Sequence, residues 1–303
     1  MKEKVLIVGS VAYDTVETAA GRVECALGGA ASYAAAAASF YCLPCLVAVV
    51  GEDFEKEHLD YFAGCGIDLC GLSRVPGRTF RWSGRYLPDM IGRETLSTEL
   101  NVFEDFDPEL PEQLRAIPYL FLANIHPRLQ GRVLEQMRPP RLTVMDTMNL
   151  WIETARDELM ELLPRVDILT LNDEEARMLT GKFNLYQAAR WLMDRGVKLG
   201  VVVKRGEHGS TLVTREGMGI AAAYPVEELI DPTGAGDSFA GAMIGVLAEA
   251  GDLSLPALRR AIMHGAALAS FTVEGFSLDR LRGLTRRDID DRVRSFRDLL
   301  IVE

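Results

Sequence analysis

Residues 231–241 read Asp-Pro-Thr-Gly-Ala-Gly-Asp-Ser-Phe-Ala-Gly and run directly into the apolar stretch Ala242–Leu247. A glycine-rich turn ahead of a helix leaves backbone N–H groups without intrahelical partners, and no side chain blocks approach to them. Such a helix start attracts anions through its free amides and its dipole. Glycine also allows positive φ, expected here at Gly234 and Gly236. Asp237 follows at once. A carboxylate in that position either caps the helix or stands beside an anion site as a base. Amides that stabilise a transferring group, next to a base that accepts a hydroxyl proton, are what phosphoryl transfer from ATP to an alcohol requires. An aspartate near its ordinary pKa of about 3.9 is ionised at neutral pH and fits that task. The P-loop is absent: Thr180-Gly-Lys-Phe183 lacks the upstream glycine and the Ser/Thr of that motif. Val8-Gly-Ser-Val-Ala-Tyr-Asp14 is not the dinucleotide fingerprint either.

These residues need a scaffold, and the rest of the chain supplies its pattern. Continuous apolar runs recur at KVLIVGS, LVAVVG, YLFLANI (119–125), RLTVMDT (141–147), VDILTLN (166–172) and KLGVVVKRG (198–206). Helical patterns lie between them, in the Ala-rich stretch after Gly29 and around 54–64, 128–138, 153–163, 173–180 and 185–195. Strands without strict alternation, interleaved with helices, predict a parallel sheet covered on both faces, with ligands beyond the carboxyl ends of its strands. Two segments, 13–29 and 78–101, alternate polar with apolar or aromatic residues and turn at glycine. Both are expected to form short antiparallel strands of a small second sheet, a lid over the strand ends.

With 303 residues the chain is long enough for one large α/β domain with a substantial core. A net charge of −11 argues against a nucleic-acid partner. Leu27–Gly51 carries no charge, but Pro44 and the change from Ala-rich to Val-rich sequence divide it into a buried helix and a buried strand rather than a membrane span. No secretion signal opens the chain, and five cysteines are an odd count, so a reducing cytoplasm is expected. Cys42-Leu-Pro-Cys45 has redox or zinc spacing without a second pair, and reads as core thiols.

At this point the sequence resembles the ribokinase/PfkB family of carbohydrate and nucleoside kinases. DPTGAGDSFAG looks like its C-terminal signature, GGAASYAAAAAS (28–39) its glycine pair and following helix, and VGSVAYDTV (8–16) its opening strand with a substrate aspartate. VGEDFEKEHLDYFAGCGID (50–68) and LTLNDEEARMLTG (169–181) are similar to further units in the same order. The resemblance implies a ribokinase-like three-layer α/β/α sandwich, a mostly parallel central sheet and a small β-sheet lid, all in one kinase domain over 1–303. It implies that Asp237 is the general base and that Gly234, Ala235 and Gly236 supply the anion-hole amides. Asp14, with the backbone at Gly28 and Gly29, would hold acceptor hydroxyls. Asn172 and Glu175 would organise Mg2+ through water, although Asn172 before Asp-Glu-Glu is equally a helix cap. Lys204, Gly206 and Gly209 would lie along the ATP phosphates and ribose, or Lys204 is a solvated strand-end charge. His264 would flank the adenine, or it belongs to an ordinary amphipathic helix. Asp231, with the loop after Ser270, would hold a monovalent cation such as K+. A homodimer through the lid is the implied assembly.

The chain departs from the sugar kinases where many carry a polar residue, often Asn, after the glycine pair. Here Ala30-Ala31-Ser32-Tyr33 stands instead. Phe80, Trp82 and Tyr86 alternate along one lid segment, either packed within the lid or facing the cleft, where a ring would stack on a base. With TFRWSGRY, LANIHP and DTMNLW, the texture resembles a bacterial nucleoside-kinase-like branch. The expected reaction is ATP- and Mg2+-dependent phosphorylation of a nucleoside hydroxymethyl group, adenosine-like, with Tyr33 and Trp82 at the acceptor. The alternative acceptor is a free sugar or polyol. A silent sugar or nucleotide sensor is disfavoured, because it would have no use for the base.

Overall fold

A computed structural model of the protein describes residues 2–300. The strands are β1 (Lys4–Val8), β2 (Ala12–Thr18), β3 (Gly21–Gly28), β4 (Leu43–Gly51), β5 (Asp68–Val75), β6 (Phe80–Tyr86) and β7 (Arg93–Glu99). They continue with β8 (Tyr119–Leu122), β9 (Leu142–Asp146), β10 (Ile168–Asn172), β11 (Gly200–Lys204), β12 (Ser210–Thr214) and β13 (Met218–Ala221). The helices are α1 (Ala30–Ser39), α2 (Lys56–Gly64), α3 (Pro127–Gln136), α4 (Asn149–Thr154), α5 (Arg156–Leu162) and α6 (Asp173–Thr180). After them come α7 (Leu185–Met193), α8 (Ala235–Ala250), α9 (Leu255–Thr272), α10 (Asp279–Arg282) and α11 (Arg286–Leu300).

Nine strands form one sheet in the order β13-β12-β11-β10-β9-β8-β1-β4-β5. The sheet is parallel from β5 to β11, and at the other edge β12 runs antiparallel to both its neighbours, β11 and β13. Its apolar runs serve two cores because successive side chains point to opposite faces. Val5 and Ile7 of β1 join the core under α1, α8 and α9, whereas Leu6 and Val8 join the one under α3, α5, α6 and α7. That is the expected three-layer sandwich.

The Ala-rich helix has a packing reason. A Cβ at Gly241 of α8 would lie 2.2 Å from the carbonyl oxygen of Ala34 in α1, so only glycine lets the two helices approach so closely. This contact seats α8 directly on α1. The uncharged run 27–51 divides into α1 and β4, and among the described residues no helix is long and apolar enough to cross a membrane. Cys42 and Cys45 are buried free thiols at the head of β4.

The two alternating segments build the second sheet, ordered β3-β2-β6-β7. One pairing differs from the expected antiparallel pattern: β2 and β6 run parallel, because they come from separate insertions rather than from one hairpin. Directly paired residues share a face, so Asp14, paired with Trp82, faces the same side as that ring. Tyr86 lies four residues further along β6, on the same face, and meets Arg93 across the β6–β7 ladder.

Candidate active site

The glycine turn ends in an αL residue. Gly234 has φ +75° and serves as N-cap of α8, with no side-chain cap. A Cβ there would lie 2.3 Å from the ring of Tyr33, so both conformation and space demand glycine. Gly236 is different. It sits in the first helical turn with ordinary φ, contrary to the expectation of a left-handed residue there. A Cβ at Gly236 would meet only the Lys204 side chain, 3.0 Å from Nζ. The Ala235 N–H donates to the Pro232 carbonyl at 3.3 Å, while those of Gly234 and Gly236 have no partner among the described residues. The amides left open to an anion at this turn are therefore those of Gly234 and Gly236, whereas that of Ala235 is already engaged.

Four acids converge on this turn. Asp237 opens α8, and its pKa is raised to about 7, by burial first and the neighbouring Asp146 second, against the pull of Lys204 and Arg93. It is not the freely ionised aspartate expected from sequence. Asp14 of β2 is buried and likewise raised to about 7 by burial, against the opposing pull of the nearby Gly29 N–H. Its carboxylate occupies the place a Cβ at Gly28 would take, 2.0 Å away, which explains the glycine. Asp146 ends β9 and accepts a 2.8 Å hydrogen bond from Lys204 Nζ at the end of β11. Between those strands, Asn172 ends β10 and forms a reciprocal capping box with Glu175. The Asn172 side chain accepts the Glu175 N–H at 2.7 Å, and the Glu175 carboxylate accepts the Asn172 N–H at 2.7 Å. Capping is thus realised, and it places Glu175 beside Lys204 and Asp146. Burial raises the Glu175 pKa to about 7, opposed by Lys204.

Sequence reasoning missed two members. Asp146 stands where a functional acid in such a sheet belongs, at the carboxyl end of a buried strand. That position, read off RLTVMDT, was the available signal. Arg93 carried none: it begins β7 in an ordinary polar stretch, yet the lid fold brings its charge to bear on Asp14, Glu175 and Asp237. It faces Tyr86 across the ladder, and its charge bears on that hydroxyl too. Its guanidinium lies 5.8 Å from the Trp82 ring centre. Tyr86 in turn accepts from Thr233 Oγ1 at 3.2 Å, tying the lid to the residue before Gly234. Arg93→Gln should lower kcat/KM about 10- to 100-fold, as for a lost charge-assisted hydrogen bond. A variant within twofold of wild type would remove Arg93 from the site.

The other expected residues are placed as follows. Trp82 shares the face of Asp14, its ring folded over Gly84 and half-buried. Phe80 stacks on Phe103 at 5.3 Å. Tyr33 does not line the cleft: it is 1% exposed under Gly234, and its hydroxyl has no hydrogen-bond partner. It is a wall of the turn, with Asp14, Asp231, Tyr86 and Asp237 around it. Gly206 and Gly209 have positive φ and shape the hairpin after Lys204. Asp231 is wholly buried, accepting the N–H groups of Thr233 at 2.9 Å and Ser277 at 3.4 Å.

His264 does not join these residues. Its Nδ1 shares a 3.1 Å hydrogen bond with the Tyr41 hydroxyl, and burial followed by Arg286 pushes its pKa down to about 4. The face of α9 that meets β13 carries Arg259 and Ile262, and His264 lies about 200° round the helix from Ile262. A neutral core histidine in an amphipathic helix is what the structure contains.

Among the described residues no three His, Cys, Asp or Glu side chains form a metal-holding group. That fits Mg2+ on a nucleotide, which keeps several waters and takes one or two carboxylates plus substrate phosphates. Glu175, buried and carrying a raised pKa, is a carboxylate such a cation would relieve.

Comparison with known proteins agrees with this architecture. Residues 2–280 match the pfkB family of carbohydrate kinases. A cytidine kinase of Thermococcus kodakarensis is 33% identical over 245 residues, 79% of this chain and 86% of that protein. The Methanocaldococcus jannaschii nucleoside kinase, an archaeal member of the ribokinase family, superposes with a TM-score of 0.78 at 19% identity, covering 97% of this chain and 98% of that one. An Escherichia coli ribokinase II, solved with ATP and Mg2+, gives 0.79 at 19% identity over 97% and 99% of the two chains. The Burkholderia thailandensis nucleoside kinase, solved with inosine, gives 0.78 at 18% identity over 96% and 97%. A signature turn, a lid and an acid cluster in one arrangement, together with these matches, place the chain in a single family: it belongs to the pfkB carbohydrate kinases.

Proposed function

We propose that the protein is an ATP- and Mg2+-dependent kinase that phosphorylates a hydroxymethyl group of a nucleoside. The observation that carries the chemistry is Asp237 at the start of α8, beside the unpartnered Gly236 N–H and within the influence of Asp14 on one side and Lys204 on the other. Asp237 accepts the hydroxyl proton, and the amides of Gly234 and Gly236 receive negative charge on the transferring group. Bound ATP supplies the phosphoryl group, with Mg2+ offsetting its charge beside Glu175. Asp14 and the Gly28–Gly29 backbone hold the acceptor's hydroxyls. Trp82, on the Asp14 face of the lid, offers a ring for a base, and base–aromatic stacking contributes on the order of 1–3 kcal/mol. The cytidine kinase relative supports the same acceptor class.

K+ would sit near Asp231, whose burial raises its pKa. A homodimer would use the outer lid, where Ile91 and Leu96 are exposed. The free thiols fit a cytoplasmic setting. The test is one panel with ATP: kcat/KM for adenosine, cytidine, inosine, uridine, ribose, fructose and a polyol under identical conditions. At least one nucleoside should exceed every free sugar by about 5-fold or more, the lower end of the stacking range. Ribose or fructose exceeding all nucleosides would replace this reading with a sugar kinase.

A further inference from the structure

Between the strand that ends in Asp146 and the strand that leads to Asp14 lies β8, and the loop at its carboxyl end carries a polar group the reaction does not use. Asn124 is half-buried there, two residues beyond the end of β8. The loop is held from both sides: the Ala123 N–H donates to Val8 at 2.9 Å, and the buried Gln130 Nε2 donates to the carbonyls of Ala123 at 3.0 Å and Asp146 at 2.9 Å. Trp151, at the start of α4, donates its indole N–H to Asn124 Oδ1 at 2.9 Å.

That contact fixes which way the amide points. An indole N–H can only donate, so the atom it meets must be the amide oxygen. Asn124 Nδ2 is therefore turned the other way, where its hydrogen-bond partner is the Met148 sulfur at 3.1 Å, a weak acceptor. Trp151 is itself braced by the ring of His126 at 5.0 Å. His126 is held in turn by accepting the Arg128 N–H. The result is a rigid donor with an N–H to give, on the strand-end surface where acceptors bind in such sheets. β8 lies between β9, which ends in Asp146, and β1, which leads to Asp14, so Asn124 stands at the strand ends between those two acids, where a base held from Asp14 toward β8 would meet it.

We infer that Asn124, locked by Trp151, reads the nucleobase as a fixed hydrogen-bond donor. It thereby selects bases whose ring nitrogen carries a lone pair (cytidine, adenosine) over those that present N–H at the same atom (uridine, inosine). The inference rests on the nucleoside reading above and adds to it the rule by which bases are discriminated. A lone-pair nitrogen accepts the Asn124 hydrogen. An N–H facing it leaves two donors opposed and desolvated, which is the costly case.

The test is the cytidine-to-uridine ratio of kcat/KM, repeated as adenosine to inosine. In the wild-type enzyme both ratios should exceed about 10, within the range for an unsatisfied buried donor. Asn124→Asp keeps an oxygen for Trp151 and turns the second arm into an acceptor, so both ratios should fall below one. Trp151→Phe removes the lock and lets the amide rotate, so the ratios should move toward one while turnover of the better substrate is largely kept. Ratios near or below one in the wild type, or wild-type ratios retained in both variants, would overturn the inference, as would an equal loss for every nucleoside and for ribose. A wild-type enzyme that turns over sugars and no nucleoside would instead remove the nucleoside reading itself.

Discussion

Asp237→Asn should lower kcat at least about 100-fold while leaving ATP affinity nearly unchanged, the usual loss when a positioned general base is removed. The amide keeps the size and the helix start but cannot take the hydroxyl proton. The environment of Asp237 makes the case sharper than sequence alone did, because its carboxyl is raised to about 7 by burial and Asp146. Activity requires the deprotonated form, so kcat/KM of the wild type, which reports the free enzyme, should fall as pH drops below about 7. Because Asp14, Glu175 and Asp237 are close enough to influence one another, the measured value belongs to the set rather than to one residue. In Asp237→Asn the remaining slow rate should keep only the part of that dependence that Asp14 and Glu175 contribute. Wild-type turnover in the variant would end the assignment.

The same shift makes a statement about stability, with opposite sign. Between the unfolded value near 3.8 and the folded value near 7, the native state holds more protons at Asp237 than the unfolded chain does. Stability therefore declines as pH rises through that window. Asparagine has no such titration. Asp237→Asn should accordingly melt higher than wild type at pH 8, with the gap closing toward pH 4. A loss of function joined to a gain in Tm is the signature of a charge held ionised for chemistry at a cost to the fold.

How far the sequence revealed this can be argued residue by residue. The sheet was legible because its strands are long apolar runs buried on both faces, and the lid because its segments alternate. The edge strands escaped notice: β5 is long enough but mixes polar with apolar residues and is only half-buried, and β12 and β13 are short, with only Gly206 and Gly209 to mark a hairpin. The turn and Asp237 stood out since they are adjacent in the chain. Arg93 did not, because the acids it faces are distant in sequence and only lid folding assembles them. His264 and Tyr33 misled for the same physical reason: a helix pattern states that a face is buried, but not whether a ligand or another helix covers it. Trp82 could be placed on neither face of the lid from sequence, and its register with Asp14 decides that.

Gly236→Val should reduce kcat about 100- to 1,000-fold, the range for losing a backbone donor at an anion site, while the protein still folds. The neighbouring Gly234 cannot test this, since at φ +75° with a Cβ driven 2.3 Å from the Tyr33 ring, a substitution there disrupts the turn itself. At Gly236 the backbone is already helical, and replacing glycine within the first turn of α8 costs no conformational strain. The clash there is with Lys204 Nζ at 3.0 Å, the far end of a flexible side chain that can move aside. In moving, it leaves Asp146, and the valine methyl groups fill the space in front of the unpartnered Gly236 amide. Both consequences fall on the transferring phosphoryl group and neither falls on the core. Gly236→Ala should show the same direction with a smaller loss, because a single methyl displaces Lys204 less. The measurements are kcat, and Tm in the absence of nucleotide. A folded Gly236→Val enzyme with wild-type kcat would mean that phosphoryl charge is stabilised elsewhere and that the glycines serve only the packing of the turn.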